Sequence, residues 1–396
     1  MLIIWHLLVM FAVVLIISVK SQSCSGQASI TSQAELDNIQ SCSNYDGTIS
    51  IDGTNAESLD MDGIERITGD LIMRNNDNLN SFHAPALQSI QGKFEMANQT
   101  HLSQFTVPNL KNASSITLAV LPELDDLSFV NSLLGLTTIS IADTRVQKVE
   151  NPYINNLQQL MLTNNNNLTS VHLENLSKVG GKVYITANGA SCSAEFPQLT
   201  SIQSGTFRNL DNLNLRALTE STQDLSFNQN SAHDLMLNTL NLVGGSLTVA
   251  DNNELVNLTM ANLTTIGGAF VVNNNTKLLN IDGFPRLQEV KGSVDLAGYF
   301  DKAEIPSLKE VRGKMRLQTT STVFKCNETK NTGVVKGGSL ACKSNLAPDQ
   351  IDQNFEQNGK STSHESISGS SIPHLPSVKE SSGFALAVFL AFILSV

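Results

Sequence analysis

The chain contains few aromatic residues, few charged residues and no excess of basic ones. Among its 396 residues, aromatics make up 5% and charged residues 15%, and 25 Lys and Arg stand against 36 Asp and Glu, for a formal charge of −11. Binding to nucleic acid requires clustered Lys and Arg, so this balance argues against a nucleic-acid partner. It argues equally against docking on an anionic lipid surface.

Hydrophobic residues still account for 41% of the chain, so a sizeable core is possible. Asn, Ser, Thr, Leu and Gly are the prominent residue types. Amphipathic helices usually carry more Glu, Lys and Arg than this, so the composition favours stacked strands and turns. We therefore expect a mainly β fold.

Recognisable catalytic motifs are also missing. The sequence has no G-x-S-x-G, H-E-x-x-H, P-loop or Gly-rich dinucleotide motif, and its Cys spacings do not match a zinc site. Acidic pairs occur at Asp60 with Asp62 and at Asp125 with Asp126, but they fall in expected turns. A glycosidase needs two carboxyls across a cleft. We therefore expect no enzyme, with no catalytic residue, cofactor or metal.

A repeat of about 23 residues runs along the chain. Six positions recur at that spacing: Gly69 and Gly92, Asn75 and Asn98, Leu79 and Leu102, Phe82 and Phe105, Pro85 and Pro108, Leu87 and Leu110. The pattern returns downstream in steps of 21 to 24 residues, for example from Gly245 to Gly268. Repeats of this size are typical of leucine-rich-repeat solenoids, in which a unit buries its apolar face only by stacking on its neighbours.

Each unit combines a short strand with an Asn-rich turn. Residues 246–249 and 182–185 alternate as half-buried strands do. The coil must turn after each strand, and Asn tolerates left-handed conformations while carrying both a donor and an acceptor. We expect the turn Asn side chains to stack from coil to coil, with ligand binding as the alternative. These residues are Asn75, Asn98, Asn188, Asn252 and Asn275.

The start of the chain has the features of a secretory signal. Residues 7–19 are almost entirely apolar, and the small residues Ser21 and Ser23 follow them. The run is too short to cross a bilayer comfortably but suits a signal peptide. We expect a signal peptide over residues 1–21, with a buried helix as the alternative.

The other end has the three parts of a GPI-attachment signal: small residues, a polar spacer and the apolar run 384–396. We expect the lipid at Gly369, with Ser368 and Ser370 as alternatives, and removal of residues 370–396. A true tail anchor is the competing interpretation, but it needs about 20 apolar residues.

The remaining chain is expected to form a repeat solenoid over residues 22–345 and a Ser-rich stalk over residues 346–369. A solenoid exposes its core at both ends and needs caps there. Residues 32–35 (SQAE) have the form of a capping box, which predicts a short N-terminal helix ending at about Gln40. Leu36 would then face the first coil.

The five Cys allow many disulfide pairings. Proximity in the sequence and the need for caps favour Cys24 with Cys42 and Cys326 with Cys342. Cys192 is then left alone, and we expect it to be buried as a small apolar residue. A reactive or intermolecular thiol is the alternative.

Eight N-x-S/T sequons are candidate N-glycosylation sites, and in a secreted chain they predict a glycosylated surface. They are Asn98, Asn112, Asn167, Asn175, Asn257, Asn262, Asn274 and Asn327.

The order of these features resembles a known family. C-S-G at residues 24–26, a second Cys at Cys42 and D-G-T-I-S-I at residues 46–51 open the repeat region. Repeats of G-x-L-x-[IMV]-x-x-N and P-x-L-x-x-[IV] follow, then a second Cys pair, a Ser-rich stretch and an apolar tail. In this order the sequence resembles fungal GPI-anchored cell-wall organisation proteins of the sporulation-specific/extracellular-mutant type.

That resemblance implies a receptor L-domain-like repeat region, which is a right-handed parallel β-helix related to leucine-rich-repeat solenoids. It also implies a surface glycoprotein, on the outer leaflet of the plasma membrane or in the cell wall, needed for wall organisation and integrity. The implied partners are wall polysaccharide or wall proteins, and the membrane through the GPI lipid. The resemblance brings no catalytic residues with it.

Two other functions stay open at this point. The first is a receptor-like binding module for a glycan or protein; only four Tyr and one Trp are present, which disfavours stacking against sugar rings. The second is a wall-modifying hydrolase or transglycosylase, which requires paired acids in a groove.

If Gly369 carries a GPI lipid, a GPI-specific phospholipase should release the protein from isolated membranes, because cleavage removes its hold on the bilayer. Release is measured by partition between membrane and soluble fractions, with a known GPI-linked protein as control. A protein that stays with the membranes while the control is released would contradict the anchor.

Overall fold

Short parallel strands, stacked turn upon turn, form most of the described chain. The structure is a computed structural model that describes residues 23–326 and 333–351. These residues form a mainly β, parallel solenoid of about 14 turns with almost no helix. The parallel β-solenoid expected from the repeat is therefore confirmed.

Several predictions concern parts of the chain outside the described residues. They are the signal peptide over residues 1–21, the sequon at Asn327, the lipid site at Gly369, residues 370–396, and the stalk beyond Ile351. Across 23–326 and 333–351, no helix is long and apolar enough to cross a membrane.

One sheet of 22 strands runs along the coil, and its pairings are parallel, with equivalent residues about one repeat apart. Leu71 lies opposite Phe94, which lies opposite Ile116, and all three point into the core. The strands of this sheet are Ser25–Ile30, Asn44–Asp52, Arg66–Ile67, Leu71–Arg74, Ser89–Ala97, Asn112–Leu121, Thr138–Thr144, Asn156–Leu157, Gln159–Thr163, Lys178–Thr186, Ser201–Arg208, Glu220–Ser221, Leu225–Asn228, Leu242–Val243, Leu247–Ala250, Thr265–Ile266, Phe270–Asn273, Glu289–Val290, Val294–Gly298, Glu310–Val311, Met315–Thr319 and Leu340–Lys343.

Shorter strands form a second side of the coil, in sheets of three, four, two and two strands. They are Ser58–Asp60, Ser81–His83 and Gln104–Thr106; Lys148–Glu150, Ser170–His172, Ser193–Glu195 and Asn212–Asn214; Asp234–Met236 and Asn257–Thr259; Asn280–Ile281 and Lys302–Ala303. The described helical segments are the α-helix Gln33–Asp37 and the 3₁₀ segments Ser128–Ser132 and Pro348–Gln350.

The core between these sides is a continuous column of Leu, Ile, Val and Phe. Phe82 and Phe105, one turn apart, stack with ring centroids 5.4 Å apart, and Phe207 and Phe227 stack at 5.5 Å. Full burial of such a side chain stabilises the folded state by about 1.5–3 kcal/mol. Here the atoms that bury it belong to the neighbouring turn. The turns are therefore stable only as a stack.

Most turns have a tight corner where the long-sheet strand ends and one residue adopts a left-handed conformation. The φ angle is 52° at Asn75, 55° at Asn98, 56° at Asn164 and 52° at Asn274. Asn is enriched in this conformation because its short polar side chain can hydrogen-bond locally. This is the physical reason for the Asn at the end of the repeat's strand.

In many turns the residue after the left-handed one is a buried Asn, and we call this set the asparagine ladder. Asn252 shows the pattern: its Oδ1 accepts the backbone N–H of Asn230 at 2.9 Å, and its Nδ2 donates to the Phe227 carbonyl at 3.0 Å and to Asn275 Oδ1 at 3.0 Å. The ladder gives partners to buried corner groups. Its members are Asn76, Asn165, Asn188, Asn230, Asn252 and Asn275.

The expected stacking is confirmed for Asn188, Asn252 and Asn275 within the ladder, whereas Asn75 and Asn98 were expected in this buried row and lie outside it. Both hold the left-handed position, followed by the buried Asn76 and Gln99, and neither is itself buried. They still stack on the outside, where Asn98 Nδ2 donates to Asn75 Oδ1 at 3.0 Å. A 23-residue period cannot separate neighbouring polar residues, which explains the error. Ligand binding is wrong for the three buried members, whose amides already bond protein groups.

The N-terminal helix is shorter than predicted. It spans Gln33–Asp37 instead of reaching Gln40, and Ser32 makes no side-chain cap hydrogen bond. The Glu35 carboxylate instead accepts the backbone N–H and the hydroxyl of Thr31, at 2.6 and 2.9 Å. These bonds lower the pKa of Glu35. The predicted capping box is therefore wrong, because Thr31 offers two donors to the same carboxylate.

Asn252→Ala should lower the free energy of unfolding by about 1–3 kcal/mol, because it leaves buried backbone groups of Asn230 and Phe227 without partners. Asn253→Ala is the matched control, since Asn253 is exposed and its side chain makes no hydrogen bond to the described protein. Denaturant unfolding measures both variants. An equal loss in the two, or no loss in Asn252→Ala, would show that the ladder does not stabilise the fold.

Candidate functional site

The sequons within the described residues all lie outside the core. Asn112, Asn167, Asn175 and Asn257 are exposed. The half-buried ones are Asn98, Asn262 and Asn274. Every one of these positions is thus at least partly open to solvent, as a glycan acceptor must be.

Some sequon side chains already bond neighbouring turns through the nitrogen that would carry the glycan. Asn98 Nδ2 donates to Asn75 Oδ1 at 3.0 Å, and Asn274 Nδ2 donates to Asp251 Oδ1 at 2.8 Å. The side chain of Asn112 makes no such bond among the described residues. A glycan at Asn98 or Asn274 would therefore have to share or replace a turn-to-turn hydrogen bond.

Two disulfides are present, Cys24 with Cys42 and Cys326 with Cys342, at Cα–Cα distances of 5.5 and 5.7 Å. Cys192 is free and fully buried. Burial raises the pKa of the Cys192 thiol to about 11, so it is not a nucleophile at neutral pH. Its corner position belongs to Leu in other turns: Leu79, Leu102, Leu168, Leu255 and Leu278.

The four carboxylates of the acidic pairs noted in the sequence are all exposed. Asp125 forms an exposed ion pair with a neighbouring arginine at 2.9 Å. The Asp126 carboxylate accepts the backbone N–H of Ser128 at 2.9 Å, and hydrogen bonds from Ser128 lower its pKa. Asp60 belongs to the strand Ser58–Asp60, so its expected turn position is wrong, while Asp62 follows that strand. Asp125 and Asp126 thus hold local turn structure.

A polar recess, which we call the N-terminal cleft, opens at the corners of three successive turns. It has a volume of about 370 Å³ and is open to solvent. Sequence reasoning missed every residue in it. The lining residues are Asn55, Glu57, Asp77, Asn78, Asn80 and His101.

The N-terminal cleft coincides with a change in corner length. Ser58 follows the left-handed Gly53 by five positions, whereas Ser81 follows the left-handed Asn75 by six. The same shorter spacing recurs from Asp143 to Lys148 and from Gln229 to Asp234, so it does not single out this recess. The sequence therefore carries no spacing signal that would have found the cleft.

Most side chains of the N-terminal cleft are free to bind a ligand. Among the residues the structure describes, Asn55, Glu57, Asn78 and Asn80 make no side-chain hydrogen bond to protein. At the rim, His101 Nδ1–H donates to a backbone carbonyl of the preceding turn, which fixes the ring. The cleft therefore holds several donors and acceptors that only solvent satisfies.

The matching corner of a later pair of turns is different, because its polar groups are paired. Lys277 forms an ion pair with Glu254, and the Thr276 hydroxyl donates to the Asn253 carbonyl at 3.1 Å. These bonds run from one turn to the next. The two corners differ in their carboxylates: Glu254 is engaged across turns, whereas Glu57 of the N-terminal cleft has no protein partner within the described chain.

The N-terminal cleft gathers two carboxylates, Glu57 and Asp77, and both are exposed. A general acid for glycoside hydrolysis needs an apolar surrounding that keeps it protonated near neutral pH, and this lining is polar. Over the described ranges, no group of three or more His, Cys, Asp and Glu could hold a metal ion. The arrangement is suited to hydrogen bonding.

Comparison with known proteins adds the family. No family model matches the chain. No solved structure matches it either. A cell surface GPI-anchored protein of Arthroderma benhamiae is 30% identical over 326 residues, which cover 82% of this chain and 83% of that protein. The cell wall protein ecm33 of Schizosaccharomyces pombe is 29% identical over 330 residues, 83% of this chain and 78% of that protein.

A third relative, protein ecm33 of Aspergillus fumigatus, is 30% identical over 317 residues, or 79% of each chain. The similarity thus spans about four fifths of the sequence, and the resemblance seen in its motifs is confirmed. The protein is a component of the cell surface with a structural role in the cell wall. It belongs to the fungal family of GPI-anchored cell-surface and cell-wall proteins.

Proposed function

We propose that the protein is a non-catalytic element of the fungal cell wall, held at the outer leaflet of the plasma membrane by a GPI lipid. The observation that carries this proposal is the family match over a chain whose described part is a stack of turns from Ser25 to Lys343. Such a stack presents extended surfaces, which suit contact with wall polysaccharide or wall proteins. Its acidic charge does not suit nucleic acid.

The proposed organisation follows the sequence signals. Residues 1–21 direct secretion, residues 22–345 form the solenoid, residues 346–369 form the stalk, and residues 370–396 are removed when the lipid is attached at Gly369. The GPI-anchored relatives support this order. The eight sequons are proposed to carry N-glycans, which would keep the coil surface hydrated.

We also propose a right-handed coil of the receptor L-domain type, related to leucine-rich repeats. Crossovers between parallel strands are right-handed in nearly all proteins, which supports this handedness. The helix Gln33–Asp37 is proposed to close the first turn, because Leu36 and Ile39 beside it are buried in the core.

A non-catalytic role is supported by the exposed carboxylates of the N-terminal cleft and by relatives whose names describe surface or wall proteins. Hydrolysis would require one carboxyl held protonated, and nothing around Glu57 or Asp77 excludes water.

Deleting the gene should weaken the wall, measured as increased lysis under osmotic shock. The wild-type gene and a gene with Asp60→Asn and Asp62→Asn should both restore resistance, because neither acid lines the N-terminal cleft. Surface labelling confirms that both products reach the cell exterior. Failed rescue by a surface-exposed, folded double variant would favour the hydrolase or transglycosylase.

A further inference from the structure

We propose that the N-terminal cleft binds an uncharged saccharide, one or two hexose units of a wall polysaccharide. This assignment rests on the proposed wall function and names a partner for it. The cleft has a volume of about 370 Å³ and is open to solvent, so a bound sugar would keep part of its surface in water.

The chemistry of the lining matches a sugar ring. Asn55, Asn78 and Asn80 carry amides with two donors and two acceptor lone pairs each, and Glu57 adds a carboxylate with two acceptor oxygens. A hexose presents adjacent hydroxyls, and each hydroxyl both donates and accepts. Planar amides and carboxylates can therefore bond two neighbouring hydroxyls at once.

The cleft is held in place before any ligand arrives. The Asn80 backbone N–H donates to the Glu57 carbonyl at 2.8 Å, which locks the two turns together. His101 is fixed by its bond to the Asp77 carbonyl. The backbone of the cleft is therefore set by the stack of turns, whereas the unbonded side chains of the lining are ordered only on binding, which costs conformational entropy and weakens the affinity.

The charge of the cleft selects against acidic ligands. Glu57 and Asp77 repel phosphorylated or uronic sugars, and like-charge contacts disfavour wrong partners. The lining contains no aromatic ring, so a single site gains no stacking and binds weakly. Many copies on one cell surface, engaging one polymer, would raise the overall avidity.

The cleft is also not covered by a glycan on its own lining. Asn55, Asn78 and Asn80 are followed two positions later by Glu57, Asn80 and Phe82, so none of the three is a sequon. The lining amides keep their hydrogen-bonding groups for a ligand.

The test uses full-length protein purified in detergent and titrated calorimetrically with neutral hexasaccharides of glucose, N-acetylglucosamine and mannose, and with a uronic-acid hexasaccharide. At least one neutral sugar should bind and the acidic one should not. Glu57→Ala and Asn80→Ala should each weaken binding about fivefold to tenfold, since each removes hydrogen bonds to the sugar. Glu254→Ala and Asn253→Ala make the same changes at the paired corner and should leave binding unchanged.

The melting temperature is expected to stay constant in Glu57→Ala and Asn80→Ala, because both side chains are exposed. The proposal is overturned if no neutral sugar binds, or if the cleft variants and the control variants weaken binding equally. It is also overturned if a separate titration with calcium chloride gives binding heat and none of the sugars does. If the deletion strain has a weakened wall but the purified protein binds no sugar, only the saccharide assignment of the cleft is wrong. If the purified protein binds sugar but the deletion strain has a normal wall, the proposed function in the cell wall is wrong instead.

Discussion

Every turn of this coil must bury a corner whose backbone groups are left without strand partners. The asparagine ladder meets that constraint, since one amide serves two turns at once: Asn275 Nδ2 donates to the Val249 carbonyl at 2.9 Å, and its Oδ1 accepts the Asn252 N–H at 2.9 Å. In the same way, the backbone N–H of Thr54 donates to Asn76 Oδ1, and the backbone N–H of Thr144 donates to Asn165 Oδ1, each in the next turn. The ladder thus gives partners to buried corner groups wherever it has a member, whereas at the corner after Asn98 the buried Gln99 keeps its Oε1 without a partner among the residues the structure describes.

The fold could be predicted from the sequence because residues one repeat apart along the chain lie opposite each other in adjacent turns of the coil. The strand alternation, the buried Leu, Ile and Phe and the corner Asn all follow from that correspondence. The ladder was placed only in part, because adjacent polar residues such as Asn75 and Asn76 share the period. In Ser128–Ser132 a 3₁₀ segment replaces the second-side strand, and buried Asn151 satisfies the carbonyls of Val130 and Leu133 there. No repeat pattern predicts such a substitution.

The N-terminal cleft lay beyond sequence reasoning for a different reason. Its lining comes from three successive turns, with Asn55 and Glu57 in the first and His101 in the third, and the repeat spacing does not mark these exposed corner residues. The chemistry of the site comes from side chains that make no bond to other described protein groups. The Glu254 carboxylate forms an ion pair with a residue of the next turn, whereas the Glu57 carboxylate has no such partner in the described ranges. The proposed saccharide site would thus use side chains that the stack of turns does not need. The asparagine ladder stabilises the stacking of the turns, so the exposed corner residues outside the ladder can differ from turn to turn.

Turn-to-turn register underlies all of this, and a cross-link measures it directly. Ser58 lies opposite Ser81 with their hydroxyl oxygens 2.8 Å apart, and Gln104 lies one turn further along. Adjacent strands are about 4.8 Å apart, within the usual disulfide Cα separation of about 4.4–6.8 Å, whereas two turns are not. The account predicts that Ser58→Cys with Ser81→Cys forms a disulfide in the native protein and that Ser58→Cys with Gln104→Cys does not. Equal cross-linking of both pairs, or of the second pair alone, would contradict it.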